Sequence, residues 1–187
     1  MSVPSPLSAD PPAAPGILER AGRVTTLILD VDGVLSDGRI VYDEFGDELK
    51  FFDVQDGSRL VLWNRAGLKS AIITARKAKL IKRRAKEMHV DFLAQNAFQK
   101  LLVYEALLKR WRVSAGQVCA MGDDLMDLPI LRRVGFAVAV PNAVEDVKAV
   151  CHYVTTCAGG RGAVRETIDL ILKAKGLWDE VIRPYQA

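Results

Sequence analysis

The feature that most constrains the fold of this chain is the nearly continuous apolar run at 24–31, VTTLILDV, which is rich in β-prone residues. A strand that is apolar along its length must be covered on both faces, and this pattern is typical of parallel sheets. Similar short runs recur at 68–74, 90–93, 118–121 and 136–140. The sequence therefore predicts a set of strands that are buried on both faces.

Between these runs lie segments in which apolar residues recur with helical spacing, at 59–65, 77–89, 100–111, 125–134 and 163–175. Strands that alternate with helices over short connections form βαβ units. We therefore expect an α/β fold, a three-layer, Rossmann-like parallel sheet with helices on both faces. Such a sheet binds ligands at the carboxyl ends of its strands. The residues that follow each apolar run are the candidates for function.

The segment 39–53 interrupts this alternation. Two short β-prone runs, RIVYD and ELKFFD, lie on either side of the residues EFGD. This pattern predicts a β-hairpin that is inserted directly after the first strand.

Length and composition limit the organisation and the class of partner. The 187 residues predict one domain at 17–176, a disordered N-terminal tail at 1–16 and a C-terminal tail at 177–187. No apolar run approaches the roughly 18 residues that span a bilayer, which argues against a membrane protein. The net charge of +3 is too small to indicate a nucleic-acid partner. The three cysteines, an odd number without close pairing, predict reduced thiols in a cytoplasmic protein.

Asp30 and Asp32 end the first run and are followed directly by Gly33. Side chains two residues apart on a strand share a face, so the carboxyl groups converge, and Gly33 lets the backbone turn closely around a ligand. Two carboxylates this close suit a divalent ion, a nucleophile and a general acid/base, since they otherwise repel. A plain turn remains the alternative. An EF-hand loop is excluded, because Leu35 and Val41 replace its required Gly and Glu.

The later runs also end in polar residues. Thr74 ends the second run, where a hydroxyl suits anion binding or caps the next helix. Lys100 opens the helix after the third run and is either a site residue or a solvated surface lysine. The fourth run ends in GDDLMD at 122–127, with more acidic residues than helix capping requires. The order of these motifs is a stronger signal than any one of them.

The four motifs, DxDG, Thr, Lys and GDDxxD, resemble those of the haloacid dehalogenase superfamily of phosphotransferases, over 23–175. Within it, the closer match is to the 3-deoxy-D-manno-octulosonate 8-phosphate (KDO 8-phosphate) phosphatase family, which is capless. The segments that carry this match are DVDGVLSDG at 30–38, FFDVQDG at 51–57, TARKAKL at 74–80, GDDLMD at 122–127 and AGGRGAVRE at 158–166. Ala75 and Asn96 stand where this family usually has Gly.

The resemblance implies a Mg²⁺-dependent phosphatase that hydrolyses a sugar-acid phosphate, KDO 8-phosphate, through an aspartyl-phosphate, for lipopolysaccharide precursor synthesis. It implies Asp30 as the nucleophile and Asp32 as the general acid and base. Thr74 and Lys100 would offset the charge of the phosphoryl group. The implied metal ligands are Asp30, the backbone carbonyl of Asp32 and Asp123, with Asp127 contacting these ligands rather than the ion.

Positive charge near the strand ends is expected to bind the anionic sugar acid. Arg76 and Lys77 stand at the start of the basic segment 77–89, whose other charges are typical of a solvated helix face. Arg161 lies in a glycine-rich stretch and would contact the substrate from a mobile loop, although the stretch is equally typical of a plain loop before a helix. Gly33 completes the predicted substrate-binding set.

Cap domains in this superfamily follow the first or third strand, and the chain between Gly33 and Leu68 is too short to form one. We expect neighbouring subunits to cover the site instead. Phe45, Phe51 and Phe52 on a projecting hairpin favour this, because exposed strand edges and aromatic patches associate. The resemblance implies a homotetramer joined through such hairpins, with the C-terminal segment reaching an active site.

Three alternatives share parts of this pattern. A phosphoacceptor receiver domain also has Asp, Thr and Lys at strand ends, but its acceptor follows the third strand, and here that run ends in Leu-Ala-Gln. An accessory subunit of a larger enzyme complex could use the same fold, although the acidic residues are intact. A phosphatase of a nine-carbon, sialic-acid type sugar phosphate would share the fold, the motifs and the hairpin.

Overall fold

The computed structural model describes residues 16–186, so all of the predicted N-terminal tail except Gly16 lies outside it. The strands of the main sheet are β1 Thr26–Leu29, β4 Lys69–Ile73, β5 Phe92–Ala94, β6 Val118–Gly122, β7 Phe136–Ala139 and β8 Tyr153–Val154. They are all parallel, in the order β5-β4-β1-β6-β7-β8. Strands β2 Val41–Tyr42 and β3 Glu48–Leu49 form a separate antiparallel hairpin. The predicted α/β fold, parallel sheet and inserted hairpin are confirmed.

The helices surround this sheet. Their bounds are α1 Ile17–Arg23, α2 Val54–Arg65, α3 Lys79–Glu87, α4 Lys100–Trp111, α5 Leu128–Leu131, α6 Glu145–Lys148, α7 Ala163–Ala174 and α8 Trp178–Ile182. Helix α7 packs against α1 and α2, whereas α4 packs against α5. None of the described helices is long and apolar enough to cross a membrane.

The first apolar run forms the interior of the sheet. All residues of β1 are buried, and β1 pairs with β4 on one side and with β6 on the other. The register sets Leu29 beside Ile72 and Met121, so all three strands end at the same edge. The polar residues that follow these strands are therefore brought together.

Two helices differ from their predicted bounds by more than two residues at an end, for local reasons. Helix α2 begins at Val54 rather than at Arg59, because the Asp53 side chain caps it by accepting the backbone N–H groups of Gln55 and Asp56 at 2.6 and 3.2 Å. Apolar spacing does not reveal such a polar first turn. The predicted helix 125–134 is a 3₁₀ turn, Leu125–Asp127, followed by the short α5.

The predicted C-terminal tail is folded as far as Tyr185. Helix α8 and the 3₁₀ turn Arg183–Tyr185 follow α7, and α8 packs against both α2 and α7. Val181 is buried, and the Tyr185 hydroxyl accepts a hydrogen bond from Arg65 Nη1 at 2.7 Å. The segment is ordered because it covers apolar surface of the helical layer.

Candidate active site

A cavity of about 280 Å³ lies at the carboxyl edge of the sheet, beyond β1, β4 and β6. It contains most of the predicted site residues. Its lining is Asp30, Asp32, Gly38, Thr74, Ala75, Arg76, Lys100, Asp123, Asp124, Met126 and Asp127. The four sequence motifs, although they are spread over about a hundred residues, therefore form one site.

Lys100 is a buried site residue, which excludes the surface-lysine alternative. Its side chain is 4% exposed, and its Nζ lies 2.9 Å from Asp30 Oδ1 and 2.7 Å from Asp127 Oδ1. Burial acts to lower the pKa of Lys100, but the charges of Asp30 and Asp127 outweigh it and raise that pKa. The ammonium group is therefore held in its charged form between two carboxyl groups.

Asp30, Asp123 and Asp127 form the acidic cluster of the cavity, with one oxygen of each lying within 4.8 Å of the others. Burial and the charge of Asp127 raise the pKa of Asp30 to about 6. Burial and the charge of Asp30 raise the pKa of Asp123 to about 7. A divalent cation relieves this repulsion, and carboxylate oxygens are the donors that Mg²⁺ prefers. The cluster fits Mg²⁺.

Asp127 differs from Asp30 and Asp123 in the hydrogen bonds that its carboxyl oxygens make. Asp127 Oδ1 accepts a hydrogen bond from Lys100 Nζ. Asp127 Oδ2 accepts hydrogen bonds from the backbone N–H groups of Asp123 and Asp124, at 3.1 and 3.4 Å. Both oxygens of Asp127 are therefore engaged with the protein. Asp30 and Asp123 are left as the side chains best placed to bind an ion, and Asp127 orients Asp123 and Lys100.

Gly33 is required by the shape of the site. Its φ is +84°, in the left-handed region, and a Cβ at this position would collide with Asp123 Oδ2. Gly33 therefore lets the turn after β1 approach the acid that follows β6. Gly33 itself is not among the residues that line the cavity.

Thr74 does not cap a helix. Helix α3 begins at Lys79, with Ala78 at the capping position, whereas Thr74 is 1% exposed. Its hydroxyl accepts the backbone N–H of Arg76 at 3.2 Å and lines the cavity. Similarly, Asp124 rather than Asp123 caps the turn after β6, by accepting the N–H of Leu125.

Asp32 belongs to a charged network that the sequence analysis missed. Lys50 Nζ contacts Asp32 Oδ1 and lies 2.9 Å from Glu48 Oε1. Arg76 Nη2 lies 2.7 Å from the same Glu48 oxygen. Burial opposes ionisation of Glu48, but Lys50 and Arg76 hold its pKa below its ordinary value. The available signal was the spacing of Glu48 and Lys50, since residues two apart on a strand share a face.

The glycine-rich loop packs against the DxDG turn of its own chain. Gly159 N–H donates to Asn142 Oδ1 at 2.8 Å, and Asn142 Nδ2 donates to the carbonyl of Gly33 at 2.9 Å. Gly160 N–H donates to the carbonyl of Val34 at 2.9 Å. A Cβ on Gly159 would collide with the Gly33 carbonyl. The glycines therefore permit close packing behind the site, and Asn142 is a further contact that the sequence analysis missed.

Of the predicted cationic substrate contacts, the structure brings only Arg76 into the cavity lining. Lys77 and Arg161 are exposed and lie outside that lining. The loop that carries Arg161 is anchored by Asp56, which accepts the backbone N–H groups of Gly162 and Arg165 at 3.3 and 2.7 Å.

The hairpin presents apolar side chains to solvent. Phe45 is 85% exposed and Phe51 is 56% exposed. Phe52 is not part of this surface: it is half-buried against the core, and the Arg84 guanidinium lies 5.9 Å from its ring centroid. The exposed set also contains Ile40, Tyr42 and Leu49.

Comparison with known proteins is consistent with this geometry. Residues 68–167 match the model of the haloacid dehalogenase-like hydrolase family. A 3-deoxy-D-manno-octulosonate 8-phosphate phosphatase of Salmonella typhimurium is 43% identical over 169 residues, 90% of each chain. The enzyme of that name from Escherichia coli K12 is 42% identical over 175 residues, 94% of this chain and 90% of the relative.

Solved structures agree. The phosphatase of that name from Moraxella catarrhalis, in complex with a magnesium ion, a phosphate ion and KDO, superposes with a TM-score of 0.88 at 41% identity. The match covers 91% of this chain and 98% of that one. A cobalt-bound phosphatase from Haemophilus influenzae gives a TM-score of 0.80 at 33% identity, over 84% of this chain and 92% of that one.

Proposed function

The chain belongs to the haloacid dehalogenase-like hydrolases, in the group of KDO 8-phosphate phosphatases, and we propose on that premise that it hydrolyses KDO 8-phosphate to KDO and inorganic phosphate. It is a phosphoric monoester hydrolase with Mg²⁺ as its cofactor. The observation that carries the proposal is the convergence of Asp30, Asp32, Asp123 and Lys100 on one cavity.

Two carboxyl groups catalyse different parts of the reaction, one as the nucleophile and the other as the general acid and base. Asp30 attacks phosphorus and forms an aspartyl-phosphate while the bond from phosphorus to the sugar oxygen breaks. Asp32 gives its proton to that leaving oxygen and then takes a proton from the water that hydrolyses the intermediate. The two side chains line the same cavity, as this division requires.

The phosphoryl group needs positive charge and hydrogen-bond donors around it. Bound Mg²⁺, held by Asp30, the carbonyl of Asp32 and Asp123, would offset negative charge between the nucleophile and the phosphate. Lys100, held between Asp30 and Asp127, keeps the attacking carboxylate oriented and supplies a cation to the phosphoryl oxygens. The Thr74 hydroxyl lines the same wall of the cavity and donates to the phosphate.

The sugar acid is bound by cations near the mouth of the cavity. Arg76 lines the cavity and is the principal contact with the substrate carboxylate. Lys77 and Arg161 are exposed and add to the local positive charge. Gly33 forms the turn after β1 that contacts the phosphate. The nine-carbon alternative is not favoured, because the relatives carry the name of the eight-carbon enzyme.

A homotetramer with a shared active-site lid is part of the proposal. The exposed Phe45 and Phe51 support it, because an apolar hairpin edge is unfavourable in water. We also place the enzyme in the cytoplasm, in lipopolysaccharide precursor synthesis. Its free cysteines, Cys119, Cys151 and Cys157, accord with a reducing compartment.

The proposed function is tested by measuring phosphatase activity of the purified protein without any partner subunit. We expect Mg²⁺-dependent phosphate release from KDO 8-phosphate, with a kcat/KM well above that for a nine-carbon sugar acid 9-phosphate. An Asp30→Asn variant that is purified in the same way should lose this activity, which excludes a contaminating phosphatase as its source. Preference for the 9-phosphate would overturn the substrate. Absence of all phosphatase activity would instead favour the accessory-subunit alternative.

A further inference from the structure

Lys50 is a half-buried residue with a fully buried side chain, and binding the phosphate or the metal does not explain its role. Its side chain is 0% exposed, although lysine is almost never fully buried unless it is paired. Its partners are the carboxyl groups of Asp32 and Glu48. Lys50 is not among the residues that line the cavity, whereas its partner Asp32 is.

We propose that Lys50 is a positioning residue that fixes the carboxyl group of Asp32 for proton transfer to the leaving oxygen. The inference rests on the proposed function, in which Asp32 is the general acid and base. A carboxyl group can rotate about its last torsion, and a donor on one oxygen sets its plane. General acid catalysis depends on such alignment, because the proton moves only within hydrogen-bond reach.

The contacts also assign the two oxygens of Asp32. Lys50 holds Oδ1, whereas Oδ2 lies 3.9 Å from Arg76 Nε, longer than a hydrogen bond. Arg76 lines the cavity, and Lys50 does not. The proposal assigns Oδ2, the oxygen that Lys50 does not hold, as the one that carries the transferred proton.

Glu48 fixes Lys50 in turn. Its Oε1 lies 2.9 Å from Lys50 Nζ and 2.7 Å from Arg76 Nη2, so one carboxylate joins the positioning lysine to the substrate-facing arginine. Glu48 lies in β3, and Lys50 follows that strand directly. The hairpin, rather than the parallel sheet, thus determines the geometry of the acid and base.

The dependence of the rate on the leaving group tests this role. The alkoxide of a sugar needs a proton to leave, whereas nitrophenolate is a stable anion that leaves without one. We compare the first-turnover release of KDO from KDO 8-phosphate with that of nitrophenol from p-nitrophenyl phosphate. Lys50→Met should slow KDO release by about 10- to 100-fold, and nitrophenol release by less than about threefold. Equal slowing of both, or no slowing, would overturn the proposal.

Two control variants distinguish a role of Lys50 in positioning Asp32 from a role in the stability of the fold. Lys69→Met removes another lysine–carboxylate pair, with Asp91 at 2.8 Å. Lys69 is the first residue of β4, at the end of that strand opposite the cavity, so the change should leave both rates unchanged. Lys50→Arg keeps the charge if Lys50→Met does not fold, and should slow KDO release selectively by a smaller factor. If it slows neither reaction or both equally, the proposal also fails.

The result is independent of the substrate assignment. If the wild-type protein does not accept KDO 8-phosphate, another alkyl phosphate that it hydrolyses takes its place beside the aryl phosphate. Failure of the proposed function then appears in the wild type. Failure of the Lys50 proposal appears only in the comparison between variant and wild type.

Discussion

Lys100 Nζ lies 2.9 Å from Asp30 Oδ1, a contact between the first residue of α4 and the acid that directly follows β1. The pair is almost entirely buried, so its charges are poorly screened by solvent. The Lys100 ammonium group joins Asp30, which we propose as the nucleophile, to Asp127.

Asp30→Asn should lower phosphate release by several orders of magnitude, because an amide cannot form the acyl phosphate. The variant should fold, since removing one charge relieves repulsion in the acidic cluster. Steady-state phosphate release and thermal unfolding measure the two effects. Activity near that of the wild type would contradict Asp30 as the nucleophile.

Gly33→Ala should lower activity by about 100-fold or more, because the new Cβ displaces Asp123 from the metal site. Gly67→Ala is the matched control: Gly67 lies outside the hairpin and also has a left-handed φ, +73°, but nothing lies within 4 Å of its Cβ position. Both variants should lose about 1–2 kcal/mol of stability from backbone strain. Only the first should lose Mg²⁺-dependent turnover. Equal activities in the two variants would show that the collision is harmless.

Mg²⁺ should stabilise the folded protein, because it neutralises the charges of Asp30 and Asp123. At 100 times its Kd the ion adds about 3 kcal/mol to the free energy of unfolding. Thermal unfolding in Mg²⁺ and in EDTA measures the shift, and EDTA should also abolish turnover. Asp123→Asn should remove most of the shift. A full shift in that variant would place the ion elsewhere.

Asp56 should make stability depend on pH between about 4 and 6. Burial, with a smaller effect of the Asp53 charge, raises the pKa of Asp56 from 3.8 to about 6. The folded protein therefore binds the proton more tightly than the unfolded chain. Its contribution to stability is complete below pH 4 and is lost as pH rises to 6, by up to about 3 kcal/mol.

Asp56→Asn removes this titration but keeps an acceptor for the backbone N–H of Arg165. Its free energy of unfolding, measured by urea titration across this pH range, should fall less steeply than that of the wild type. Parallel curves would mean that Asp56 does not titrate with a raised pKa.

Phe45→Lys should weaken self-association, because Phe45 is 85% exposed on the hairpin that we propose as the tetramer contact. Light scattering should show a lower mass at micromolar concentration, and activity should fall with it if neighbouring subunits complete the site. Phe98→Lys alters a phenylalanine that is 71% exposed outside the hairpin and should change neither measurement. A stable monomer of the wild-type protein would refute the shared lid.

Much of the site was predictable because its signals are local. The run before Asp30 encodes burial on both faces, and parallel strands bring Asp30, Thr74 and Asp123 to one edge. Lys50 and Asn142 were not predictable in this way. The contact of Lys50 with Asp32 and those of Asn142 with Gly33 and Gly159 join segments that are distant in sequence, and no periodicity records such contacts.

The sequence by itself determined the parallel α/β sheet, the inserted hairpin and the order of the acids, because each depends on residue patterns over a few neighbouring positions. Only the tertiary structure decided that Lys100 is buried between two acids, that the glycine-rich loop packs against Gly33, and that Arg161 lies outside the cavity lining. The difference lies in how far apart along the sequence the interacting residues are. The pattern of apolar residues that determines burial extends over a few neighbouring positions. The partner of a charged side chain, in contrast, depends on how segments that are distant in sequence pack together.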